Sequence, residues 1–234
     1  MRELVISSPR KNALSTSVLD SLRRGLDEAD GEPLLLSGAG DVFSAGLDLN
    51  EVAAFVDLDA ARRLVGTLER LVEALFTHPG PTVALVNGHA IAGGCVLALC
   101  CDHRVATQEP GVRIGLNEVA LGLEFPPRTL AMIRAQLPPA LAARAVLQAE
   151  LYDPVAAREA GLVDEVAAEP RAVALARLAA LARHPRDAYA RAKAALRGDA
   201  LRLSSAEERR FEEETLPRWA SEETRAAARR ALGK

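Results

Sequence analysis

Cysteine, histidine and aromatic residues are all scarce in this chain of 234 residues. It has three cysteines, two of them adjacent (Cys100 and Cys101), and four histidines. An odd count without Cys-x-x-Cys spacing argues against a disulfide framework and against a zinc site, and reads the thiols as buried. Aromatics make up 3% and the net charge is -3. There is no basic stripe and no stacking platform, so no nucleic-acid partner is expected. A mildly acidic balance still permits an anionic ligand, because a few local Lys or Arg residues suffice. No uncharged apolar run reaches the ~18 residues of a membrane span, and Met1-Arg-Glu-Leu-Val-Ile-Ser lacks the apolar stretch of a secretory signal. The expectation is a cytoplasmic protein with no membrane partner and no metal.

What the chain does have is apolar material, 49% of its residues, enough for one large α/β domain or a core with a smaller appendage. Leu4-Val-Ile reads as a strand. Ser15 then caps an amphipathic helix with Val18, Leu19, Leu22, Leu26 and Ala29 on one face. Pro33-Leu-Leu-Leu-Ser is a buried strand, Gly38 to Leu49 a loop, and a helix runs from about Asp59 to Phe76. Strands follow at Pro81 to Val86, His103 to Thr107 and Gly111 to Ile114. Between them, Gly93 to Cys101 has the all-round apolar character of a helix packed on every side. This alternation marks a layered α/β core. Beyond Pro126 the chain is Ala-rich and helical, with Leu162-Val-Asp-Glu-Val returning one strand to the core. The domain reading is a core over 1–167 and a helical region over 168–234, with Leu175, Leu178, Leu181, Tyr189 and Leu196 at helical spacing. That tail is read as a docking or oligomerisation element, or as a helical cap on its own subunit. No repeat of fixed period is visible.

Three places can carry chemistry. Phe43-Ser-Ala-Gly-Leu-Asp-Leu49 is a strand-exit turn in which Gly46 allows consecutive backbone amides to point outward. Ala92-Gly93-Gly94 lets a ligand approach the main chain where a helix begins, with its unpaired N–H groups and positive dipole end. Either glycine turn alone reads as tight helix-to-strand packing; together they read as two amides converging on one oxygen. Glu118 lies between apolar runs, where lost hydration raises a carboxyl pKa and makes it a better proton shuttle.

At this point the chain resembles the enoyl-CoA hydratase/isomerase, or crotonase, family. The resemblance rests on Lys11-Asn-Ala-Leu-Ser, Val42-Phe-Ser-Ala-Gly-Leu-Asp-Leu, Asn87 to Cys95, Cys101-Asp-His-Arg-Val, Ile114-Gly-Leu-Asn-Glu-Val-Ala-Leu-Gly-Leu and Ala160-Gly-Leu-Val-Asp-Glu-Val, in the family's order. It implies a spiral of ββα units with a helical C-terminal region that builds homotrimers or dimers of trimers. It places the oxyanion-hole amides on Leu47 and Gly93 and the acid on Glu118. Ala45, Asp48 and Gly94 would border the substrate, and Arg10 and Lys11 the nucleotide phosphates. No separate cofactor is implied, because coenzyme A enters as part of an acyl-CoA thioester.

The family's hydratases carry two glutamates, and the first of these positions is Val96 here. Valine cannot activate water, whereas moving a double bond needs only one base. The pattern is therefore most similar to the single-glutamate Δ3,Δ2-enoyl-CoA isomerases of fatty acid metabolism. Two departures stand out. Glu124 falls where those isomerases are apolar, as a second acid in the acyl pocket or a surface residue. Asn50 replaces a frequent lysine. His89 reads as a turn residue. The alternatives are hydratase, lyase or thioesterase chemistry in the same scaffold, and a non-catalytic CoA-ester binding protein.

Overall fold

The computed structural model describes residues 1–233. In chain order the strands are β1 (Arg2–Ile6), β2 (Leu34–Gly38), β3 (Val42–Ser44), β4 (Thr82–Val86), β5 (His89–Ile91), β6 (His103–Thr107), β7 (Ile114–Gly115) and β8 (Glu165–Ala167). The helices are α1 (Thr16–Ala29), α2 (Leu49–Ala53), α3 (Leu58–Phe76), α4 (Gly93–Leu99), α5 (Pro127–Gln136), α6 (Pro139–Gln148) and α7 (Pro154–Glu159). The C-terminal region adds α8 (Pro170–Leu181), α9 (Arg186–Arg197), α10 (Ser205–Arg210), α11 (Leu216–Trp219) and α12 (Glu222–Ala231).

A five-stranded parallel sheet has the order β1-β2-β4-β6-β8, and a three-stranded parallel sheet the order β3-β5-β7. Each of the pairs β2-β3, β4-β5 and β6-β7 sends its first strand to the large sheet and its second to the small one. Helical chain follows each pair, which makes the spiral of ββα units. The units begin at Leu34, Thr82 and His103. Their unequal lengths explain why the sequence shows no fixed period.

The large sheet is covered on both faces, so its strands are almost continuously apolar. Along β2, Leu34 and Leu36 face the main core with α1 and α3, while Leu35 faces the other way with Val83, Leu85 and Val105. Ala174 and Leu178 of α8 close that second face. Helix α1 is capped as the sequence implies, Ser15 Oγ accepting from Val18 N, and buries Leu19, Leu22, Leu26 and Ala29. Asp57 caps α3 through Ala60 N, so the helix starts at Leu58, one residue earlier than the apolar pattern marks. All seven residues of α4 are buried, as are the three cysteine thiols, whose pKa values burial pushes up.

Differences from the sequence reading are local. The loop 38–49 contains β3, and the segment before Cys95 contains β5. Both strands are three residues long, too short for alternation to register. The strand expected over Gly111 to Ile114 is only Ile114–Gly115.

The reading of α9 is corrected more deeply. Leu196 is 82% exposed, and the inward face is Tyr189, Lys193 and Arg197. Asp102, in the short segment between α4 and β6, gathers them. It accepts from Tyr189 Oη at 2.9 Å and Lys193 Nζ at 2.8 Å, and pairs with Arg197 Nη1 at 3.0 Å. Thr82 N adds a bond at 2.8 Å. Lys193 also donates to Gly80 O, and Arg197 to Phe76 O and Cys100 O while lying over the Phe76 ring. A buried charge is tolerated only when partners are this complete.

Candidate active site

The ends of the small sheet meet at a cavity of about 400 Å³. Leu47 follows β3, Gly93 follows β5 and Glu118 follows β7, so equivalent places in three successive units supply its polar groups. Asn117 and Thr129 add two polar side chains, and the rest of the wall is apolar, including Leu49, Leu68, Val96, Leu121, Leu123, Phe125 and Trp219.

The first turn offers one amide rather than a consecutive set. Gly46 N donates to Ser44 Oγ at 3.2 Å and Asp48 N to Leu14 O at 3.1 Å. The Leu47 amide between them has no partner among the described residues. Gly46 adopts φ +88°, and a Cβ there would meet Ile91 O at 2.9 Å and Gly93 N at 3.2 Å. Only glycine lets the two turns touch.

In the second turn Ala92 takes φ 50° and ψ -123°, a conformation that L-residues other than glycine rarely adopt. Ala92 N bonds to Gly115 O at 2.8 Å and Ala92 O accepts from Val96 N at 2.9 Å, which holds the strained residue from both sides. Gly93 then opens α4 with an amide that has no partner among the described residues. A Cβ on Gly93 would lie 3.5 Å from Leu47 N. The missing side chain thus keeps the space before both amides open to an oxygen.

Glu118 is 7% exposed, and its Oε2 has no hydrogen-bond partner among the described residues. Burial pushes its pKa up to about 8. Its backbone carbonyl accepts from Leu121 N and Leu123 N, which pins the short 3-10 turn Val119–Leu121 and with it the side chain. Val96 is 1% exposed and lines the same cavity, so the position that would hold a second acid presents methyl groups.

The structure does not bring all the candidate residues to the cavity. Ala45 lines it, but Gly94 does not: a Cβ there would meet Ser44 O at 2.4 Å, so this glycine serves helix-to-strand packing. Asp48 is also not in the cavity wall. It caps α2 through Asn50 N at 3.0 Å and pairs with Arg10. Burial opposes its ionisation, yet the Arg10 and Asn50 hydrogen bonds outweigh it and hold the carboxyl below its usual range. The Arg10 side chain remains 61% exposed. Lys11 is exposed, and its carbonyl accepts from Ala45 N at 3.0 Å, which sets both basic residues beside the turn that carries Leu47. His89 lies in β5 and accepts at Nδ1 from Arg113 N.

Of the two readings of Glu124 the structure takes the surface one, which removes it from the substrate-binding candidates. Its carboxylate turns away from the cavity to an ion pair with Arg218, while its carbonyl accepts from Trp219 Nε1 at 3.1 Å. The loop backbone faces the helix, and the side chain follows the nearest cation at the surface.

Three polar residues of the site escaped the sequence reading. Asn117 and Thr129 line the cavity, and Glu69 stands directly behind it, 4% exposed. Glu69 accepts from Arg128 N, Thr129 N and Thr129 Oγ1 at 2.6 to 2.9 Å. It caps α5, whose own N-terminal residue is a proline without a capping side chain. Burial raises its pKa, partly offset by the Thr129 and Arg128 hydrogen bonds. A glutamate amid the apolar spacing of α3 was the available signal.

The sequence pattern of the enoyl-CoA hydratase/isomerase family matches residues 3–231, and the chain belongs to that family of enzymes. Enoyl-CoA hydratase domain-containing protein 3, mitochondrial, of Danio rerio is 37% identical over 74% of this chain. Enoyl-CoA delta isomerase 1, mitochondrial, of Mus musculus is 33% identical, also over 74%. The chain spans 64% and 61% of the lengths of these two relatives. Human mitochondrial Δ3,Δ2-enoyl-CoA isomerase superposes with a TM-score of 0.90 over 99% of this chain and 93% of that one, at 24% identity, and shares its crotonase fold. A probable enoyl-CoA hydratase of Mycobacterium tuberculosis superposes at 0.78 over 85% of each chain, at 30% identity.

Proposed function

We propose that the chain moves the double bond of a 3-enoyl-CoA to the 2-position. The observation that carries this reading is one buried carboxyl, Glu118, in a cavity with two open amides and with Val96 where a second acid would stand. The thioester oxygen accepts from the Leu47 and Gly93 amides. Glu118 takes a proton from C2, and the electron pair left behind delocalises through the carbonyl and the C3–C4 double bond as a dienolate. The same carboxyl returns the proton at C4, the double bond settles between C2 and C3, and no water is consumed. A raised pKa makes Glu118 a stronger base toward carbon and a willing donor afterwards. Each amide contributes about 2.7 to 4 kcal/mol where charge develops on oxygen.

No further cofactor enters this scheme; Arg10 and Lys11 lie beside the Leu47 turn to meet the phosphates of coenzyme A. A homotrimer or a dimer of trimers, and a place in fatty acid metabolism, belong to the same reading. The exposed apolar side chains Leu147, Leu151 and Val155 on and beside α6 and α7 support an assembly surface, which sedimentation velocity tests. The deciding experiment replaces Glu118 with Gln. Isomerisation of 3-hexenoyl-CoA is expected to vanish with CoA-ester binding retained, and crotonyl-CoA hydration by the native protein to stay far slower than isomerisation. Undiminished turnover in the variant, or hydration matching isomerisation, would reject the reading.

A further inference from the structure

Trp219 is the only tryptophan in the chain. It is 2% exposed, lines the cavity, and sits on α11, which packs on α3. The oxyanion amides belong to the turns after β3 and β5. Trp219 belongs to a different wall, shared with Leu68 of α3 and with Phe125, Pro126 and Thr129. An acyl group whose carbonyl is held at Leu47 and Gly93 meets a mostly apolar surface from there, and the largest side chain on that surface is this indole.

The indole is also fixed. Its N–H donates to Glu124 O at 3.1 Å, the neighbouring Arg218 pairs with the Glu124 carboxylate, and Leu216 behind it is fully buried. Pro217, which lacks an N–H, stands in the first turn of α11, and a π turn over Phe211–Thr215 precedes that helix. A side chain tied down at its backbone, its ring nitrogen and its neighbour yields little to an advancing chain.

The geometry points to Trp219 as the residue that limits acyl chain length, with Glu124 and Arg218 as the clamp that holds it in place. This rests on the acyl-CoA reading of the cavity and does not depend on which reaction follows. Affinity for saturated acyl-CoAs is expected to rise roughly fourfold per methylene while the chain lengthens within the pocket, then to stop or fall at a cutoff.

The test measures binding of straight-chain saturated acyl-CoAs from C4 to C16 to the native protein and to Trp219→Ala and Trp219→Phe. The cutoff is expected to move to longer chains in the alanine variant, with short-chain affinity within about threefold. An unmoved cutoff in a folded Trp219→Ala would overturn the assignment. Because the chain has a single tryptophan, the native protein supplies a second readout that needs no substitution. Acyl-CoAs with a terminal bromine should quench its fluorescence most at the cutoff length and little at C4. Quenching that ignores chain length would overturn the assignment equally. A cutoff and quenching maximum in a protein that isomerises no 3-enoyl-CoA would leave the assignment standing and remove the isomerase reading; binding of no acyl-CoA at any length would remove both.

Discussion

Glu118 is a residue that is costly to the fold and that the proposed chemistry needs. Its folded pKa of about 8 lies well above the ordinary 4.5, because burial disfavours the charged form. As a base it must lose its proton first. kcat/KM for isomerisation is therefore expected to climb with pH through a limb near 8, and a pH profile of the free enzyme checks this. Gly93 makes a complementary prediction. A methyl group at this position would lie 3.3 Å from Leu14 Cδ1 and 3.5 Å from Leu47 N, in the space proposed for the oxyanion. Gly93→Ala is expected to lower kcat by roughly 10² to 10³, the usual loss when one oxyanion donor fails, with a melting temperature close to native.

Among the elements, α9 is where apolar periodicity misled and charge decided. The reading of α1, α3, β2, β4 and α4 from sequence succeeded because each buries a stripe or a full circumference of Leu, Val and Ala. For α9 the inward residues Tyr189, Lys193 and Arg197 are polar, and their partner Asp102 lies on another element, so no local pattern announces them. Asp102→Ala would leave Lys193 buried beside Arg197 without its counter-charge. The expected loss is about 3 to 5 kcal/mol of unfolding free energy, read from urea denaturation. The site divides along the same line. Leu47, Gly93 and Glu118, which the resemblance assigned to the site, sit in short local motifs, and the structure brings all three to one cavity. Glu69, Thr129 and Trp219 join the site only through the packing of α3, α5 and α11, and Glu124 left it because Arg218 drew its side chain outward. Glu69→Leu, which strips three hydrogen bonds from the start of α5, should cost at least 1 to 3 kcal/mol through amides left unsatisfied.

For the whole molecule, ionisation sets two opposing slopes of stability against pH. Asp48, paired with Arg10, and Asp164, which accepts from the Arg104 backbone N–H and guanidinium, have folded pKa values below their usual range, held there by partners that outweigh burial. Their stabilisation is present above the unfolded pKa and is lost as pH falls through the folded one. Glu118 has the opposite sign: its folded form keeps a proton that the unfolded chain gives up near 4.5, so stability declines as pH rises from there to about 8. Glu118→Gln should consequently be more stable than the native protein at pH 8 to 9, by on the order of a few kcal/mol, and nearly equal to it at pH 4 to 5. Thermal melts across that range measure the divergence.

The three-stranded sheet carries a consequence for how this scaffold tolerates changes of length. Neighbouring strands in a sheet are held about 4.8 Å apart, and a shift of one residue along a strand turns every side chain to the opposite face. With Leu47, Gly93 and Glu118 each just past the end of one of three adjacent strands, their mutual spacing is a property of that ladder and not of the chain between them. Residues inserted between α2 and α3, or in the exposed turn at 109–111, leave the ladder untouched and should be silent in the chemistry. One residue inserted between Ile91 and Gly93 breaks it, however small the residue.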